Sequence, residues 1–153
     1  MTAMRKLDAA LSIAIALTML IVVLFKGDAL YLGLWYYLTV PIVVLGICAA
    51  FQIAPFFLFG TSIAIAISML ALMSVNWRAT SPDGLLGLGH LFSLPGAFVG
   101  ALAVAFFARK LAVANPFFTF LLGVAGFGVG YFVNQLLVCN TVMWCGLLSL
   151  PIK

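Results

Sequence analysis

The sequence predicts an all-α polytopic integral membrane protein, with five transmembrane helices and a short partial sixth built as tandem two-helix hairpins. Three observations predict it. Hydrophobic residues make up 67% of the chain and charged residues 7%, against about a quarter charged in a soluble domain. Apolar stretches at 9–25, 30–50, 54–75, 85–108 and 116–138 match or approach the roughly 20 residues that carry a helix across a bilayer. One two-helix pattern also recurs along the chain.

The recurrence is specific in its polar and small residues. Ser12-Ile13-Ala14-Ile15-Ala16 returns as Ser62-Ile63-Ala64-Ile65-Ala66. Asp28, Gly33, Thr39, Pro41 and Gly46 return as Asp83, Gly87, Ser93, Pro95 and Gly100. A third copy opens at Pro116-Phe117-Phe118, echoing Pro55-Phe56-Phe57, and closes at Ser149-Leu150-Pro151-Ile152, echoing Thr39-Val40-Pro41-Ile42. One transmembrane domain, 1–153, is thus divided into repeat 1 (about 9–50), repeat 2 (about 54–108) and partial repeat 3 (about 116–152). Equivalent helices then point the same way, so a pseudo-symmetry axis runs along the membrane normal.

The first span follows Arg5-Lys6 without a small-residue cleavage site, which reads as an uncleaved signal anchor with a cytoplasmic N-terminus. Four crossings later Arg109-Lys110 fall on the same side. The outer loops pair Lys26 with Asp28 and Arg78 with Asp83, so each nearly neutralises itself. A bacterial inner membrane is the expected location. The second and fourth spans contain Pro41 and Pro95, each of which removes a donor and frees a carbonyl four residues back, at Tyr37 and Leu91. Thr39 and Ser93 stand two residues before them, placed to resatisfy such groups. A membrane helix tolerates such a kink, and a recurring kink also suits an outward-opening cavity.

Glycines in the fourth and fifth spans fall at small-xxx-small spacing: Gly96 with Gly100, and Gly126 with Gly130. That spacing lets helix backbones approach closely where lipid removes the hydrophobic drive to associate. The last piece, about 141–152, is too short to cross. It is expected to lie interfacially or to re-enter partly, with Lys153 snorkelling to the headgroups. Cys139 and Cys145 are disulfide candidates, provided the helix breaks near Asn140-Thr141, because six helical residues separate two side chains too far to bond. Cys48 reads as a packing residue.

Composition leaves no room for a soluble catalytic, nucleotide-binding or nucleic-acid-binding domain, and the formal net charge of +4 reads as topology in the loops. No HExxH, GxSxG, P-loop or paired carboxylate is present. His90 has no second histidine or carboxylate in its helix to complete a metal site. The expectation is therefore no enzyme, no cofactor and no metal. Among the polar residues within the spans, Tyr36, Thr39, His90, Ser93, Asn134 and Gln135 are the ligand- or pore-lining candidates. Trp35, Trp77 and Trp144 gather on the outer side with Tyr31, and are the candidates for a partner surface.

Two functions fit. The first is a small accessory protein that, besides its contacts with membrane lipid, docks on or regulates another membrane protein; it predicts tolerance of His90→Ala. The second is a homo-oligomeric channel or carrier for a small solute or ion, which predicts loss of flux when His90 or Asn134 is changed.

Overall fold

The computed structural model of the protein describes residues 3–51, 54–81, 84–111, 113 and 115–142. These residues form five helices and no strand: α1 (Ala3–Lys26), α2 (Leu34–Ala50), α3 (Phe57–Arg78), α4 (Leu85–Lys110) and α5 (Pro116–Thr141). α1, α3, α4 and α5 are long and apolar enough to cross a membrane, which is compatible with an integral membrane protein. The expected partial sixth segment at 141–152 lies almost wholly outside the described residues.

The second helix is shorter than expected. The span read as 30–50 begins as helix at Leu34, leaving 17 residues, or about 25 Å at 1.5 Å per residue. Asp28 is the cause. Its carboxylate accepts the backbone N–H of Leu30 at 3.1 Å and of Gly33 at 2.6 Å. Those two amides are thereby turned into a loop, and Gly33 takes a φ of 82°, a region glycine enters without a Cβ clash. Hydropathy does not register this, since Leu30, Tyr31 and Leu32 are as apolar as the helix that follows.

α3 is the central helix and touches each of the other four. Its first turn has no side-chain cap of its own. Asp8 of α1 supplies one: its carboxylate, 3% exposed, accepts the N–H of Phe59 at 2.8 Å. A carboxylate suits this position because unpaired amides and the positive end of the helix dipole converge there. The apolar span 9–25 begins just after Asp8, so composition gives no hint of this tertiary cap. Asp8→Ala is expected to lower stability by about 1–2 kcal/mol, in line with loss of a helix cap. Thermal melting in detergent measures it, and an unchanged midpoint would show that the contact contributes nothing.

The closest helix packing is between α4 and α5, then between α3 and α5. Both pairings cross the boundary drawn between repeat 2 and repeat 3, and the packing lends the tandem-hairpin reading no support. Glycine explains the approach of α4 to α5. A Cβ on Gly100 would strike the Gly126 carbonyl and come 2.8 Å from the Gly130 Cα, while one on Gly96 or Gly130 would strike the opposite helix in the same way. All four small-xxx-small glycines therefore meet within one chain. Gly60 of α3 and Gly123 of α5 make a second crossing, each against the other helix's backbone.

Candidate functional site

Histidine 90 stands at the centre of the polar residues. It lies in the second turn of α4, is fully buried, and faces Tyr36 of α2 and Ser68 of α3. The directions of its hydrogen bonds follow from counting protons. The Ser68 hydroxyl donates its single proton to the Ile65 carbonyl at 2.8 Å, so towards His90 Nε2, 3.0 Å away, it is the acceptor. Nε2 then carries the ring proton, and Nδ1 accepts from the Tyr36 hydroxyl at 2.5 Å. Tyr36, His90, Ser68 and Ile65 thus form one directed chain linking three helices, with both ring nitrogens engaged.

Aromatic rings enclose this chain. Tyr36 meets His90 edge-on with ring centres 5.9 Å apart, and Tyr131 of α5 lies 5.3 Å from the imidazole. Tyr131 stacks in turn on Phe127, at 6.2 Å. Rings at these separations fill the helix interface tightly. Pro41, one turn below Tyr37, borders a cavity of about 10 Å³ among α1, α2 and α3, room for one water at most.

A second polar set joins α4 to α5. The Ser93 hydroxyl, fully buried, donates to the Gly89 carbonyl at 2.8 Å and also reaches the Gln135 carboxamide. Gln135 Nε2 points at the Cys139 sulfur at 3.4 Å. Asn134 donates through Nδ2 to the Phe92 carbonyl at 2.6 Å. Of the six lining candidates, Tyr36 joins His90, and Ser93 joins Gln135, with Asn134 one residue along on the same helix. Thr39 is exposed on α2 and belongs to neither set. Cys139 is disulfide-bonded and Cys48 is free; Cys145, the expected partner of Cys139, lies outside the described residues.

Above the cluster, the α1–α2 loop is fastened into the end of the bundle. Asp28 accepts the Tyr37 hydroxyl at 2.6 Å in addition to its two backbone amides. Asn76, at the end of α3, donates to the Ala29 carbonyl at 2.6 Å. Gly87 of α4 packs so closely on the Leu30 carbonyl that a Cβ has no space. Leu30 is fully buried as a result, and the chain turns outward at Tyr31, whose φ is 57°. A tyrosine at positive φ is uncommon and is held there by its surroundings. Tyr31 and Trp35 are each 62% exposed, and Trp77 37%. Trp144 lies outside the described residues.

Sequence reasoning named His90 and Tyr36 among the lining candidates but missed Ser68, Tyr131, Asn76 and the role of Asp28. Serine at position 68 was legible as a polar residue within the apolar stretch 54–75; its partner was not, because the contact lies 22 residues away on another helix. Among the described residues no three His, Cys, Asp or Glu side chains come together to hold a metal ion. Comparison of the chain with family models, curated proteins and solved structures finds no match.

Proposed function

We propose that this protein is a non-enzymatic accessory protein of a bacterial inner membrane that acts by docking on another membrane protein through its outer aromatic rim. The observation that carries this reading is a division of labour among side chains. His90, Tyr36, Ser93, Gln135 and Asn134 are spent on each other and on backbone carbonyls, whereas Tyr31 is held out from a fastened loop and Trp35 from the first turn of α2. Rigid, exposed aromatics anchor protein interfaces well because they add large contact area at small entropic cost. Arg5, Lys6, Arg109 and Lys110 share the opposite end of the bundle, which supports a cytoplasmic N-terminus and the crossing of α2 as a fifth span. The tandem-hairpin origin and the partial sixth segment belong to this proposal and rest on the sequence matches.

Photo-cross-linking in the source membrane tests it. A benzophenone amino acid at position 31 or 35 is expected to give one discrete adduct with a foreign membrane protein, while the same probe at Ile42, 67% exposed further along α2, gives lipid adducts only. Equal patterns at all three positions would reject the rim as an interface. Adducts between copies of this chain would favour the channel or carrier reading.

A further inference from the structure

Between α4 and α5 runs an open groove of about 640 Å³. It follows from the close glycine crossing, because helices that meet through Gly96, Gly100, Gly126 and Gly130 leave a furrow beside the seam. Val99, Val129 and Val133 form its rims and are 63, 63 and 51% exposed. Among the described residues, Asn134 is the one polar residue lining it.

Beyond the last residues that line the groove on α4, Ala103 and Val104, the same face leads to a charge. Gly96, Val99 and Ala103 line it on α4, and the same helical spacing continues through Phe106 and Phe107 to Lys110. Lys110 is exposed at the last turn of α4. Phe106 and Phe107, in the last turns of α4, are 55 and 59% exposed. From Gly96 to Lys110 the helix rises about 21 Å, more than the ~15 Å that one leaflet of a ~30 Å hydrocarbon core occupies. The neighbouring start of α5 is not an anion site of its own, since Asn115 Oδ1 already takes the amides of Phe117 and Phe118 at 3.0 and 3.2 Å. The described carboxylates are engaged elsewhere: Asp8 caps α3 and Asp28 holds the loop at the other end.

We infer that this groove is a binding site for an anionic phospholipid, with one acyl chain along the α4–α5 furrow and the headgroup phosphate on Lys110. The furrow's apolar lining matches a hydrocarbon chain, and the Lys110 ammonium on the continuation of that face matches a phosphodiester carrying net negative charge. A zwitterionic headgroup brings its own cation to that position and gains less. The site is independent of the aromatic rim at the opposite end.

Native mass spectrometry of the full chain in mild detergent tests the site, with dioleoyl phosphatidylglycerol and dioleoyl phosphatidylcholine as probes. The glycerol lipid is expected to be retained about fivefold more than the choline lipid, the factor one near-surface lysine supplies. Lys110→Gln removes that preference, and Lys26→Gln at the opposite end leaves it. Val99→Trp, filling the furrow mouth, lowers retention of both lipids. A preference that survives Lys110→Gln overturns the assignment. So does a Val99→Trp protein that keeps its lipids but changes from paired to single chains, which would make the furrow a seat for a second copy. Should Val99→Trp fail to fold, the surface change at Lys110 decides alone.

Discussion

Gly100→Ala is expected to destabilise the protein by about 2–3 kcal/mol, the upper part of the range for overpacking, whereas Gly128→Ala changes stability little or raises it. Both residues are helical glycines in the same pair of helices, α4 and α5. They differ in what a methyl group meets. At Gly100 it runs into the Gly126 carbonyl and the Gly130 backbone; at Gly128 there is nothing within 4 Å. Backbone atoms cannot rotate aside as a side chain does, so α4 and α5 must separate along the whole crossing. That loses dispersion contacts on both sides of the seam, and those contacts are the main drive for helix association in lipid. Gly46→Ala, also in open space, serves as a second control and relieves the helix of a poor helix former. Unfolding of the three variants in graded SDS measures the effect. Equal midpoints for Gly100→Ala and Gly128→Ala would mean that the crossing is looser than its geometry implies.

These glycines were legible in the sequence because their signal is local: four residues apart on one face, twice. The spans were legible for the same reason, since hydropathy sums over neighbours. What escaped was every contact set by tertiary approach. Asp8 stands outside every pattern read from the sequence, and its role depends on α3 starting beside it. Asp28 looked like a loop charge balancing Lys26, yet it shortens α2 and orients Tyr37. His90 and Tyr36 were grouped only as polar residues within the spans. Their contact arises because α2 and α4 run the same way beside α3, which brings the first turn of α2 level with the second turn of α4. Thr39 shows the limit of spacing arguments. It occupies the same position relative to Pro41 as Ser93 does to Pro95, but α5 stands beside Ser93 and supplies Gln135, while Thr39 is exposed.

His90→Leu is expected to cost about 3 kcal/mol, and Tyr36→Phe is expected to recover part of that loss when combined with it. Leucine cannot accept from the hydroxyl of Tyr36, a residue only 1% exposed, so a buried donor is left unpaired, a penalty of about 1–3 kcal/mol. The imperfect fit of leucine among Tyr131, Tyr36 and Ser68 adds a packing loss. Removing the hydroxyl in the double variant removes the orphaned donor, so the combined cost should fall short of the sum by about 1 kcal/mol or more, as for residues in one network. Strict additivity would show that the Tyr36–His90 contact carries no energy. His90→Ala, which an accessory protein was expected to tolerate, is now expected to fail on stability alone, because it opens a cavity in the place where three helices are tied together. Function has to be read on a folded protein instead, and the double variant provides one. If the protein acts through its outer rim, Tyr36→Phe with His90→Leu keeps the cross-link from position 31, since Asp28, Asn76 and Gly87 still fasten the loop. If His90 moves solute or protons, the same variant loses its activity while remaining folded.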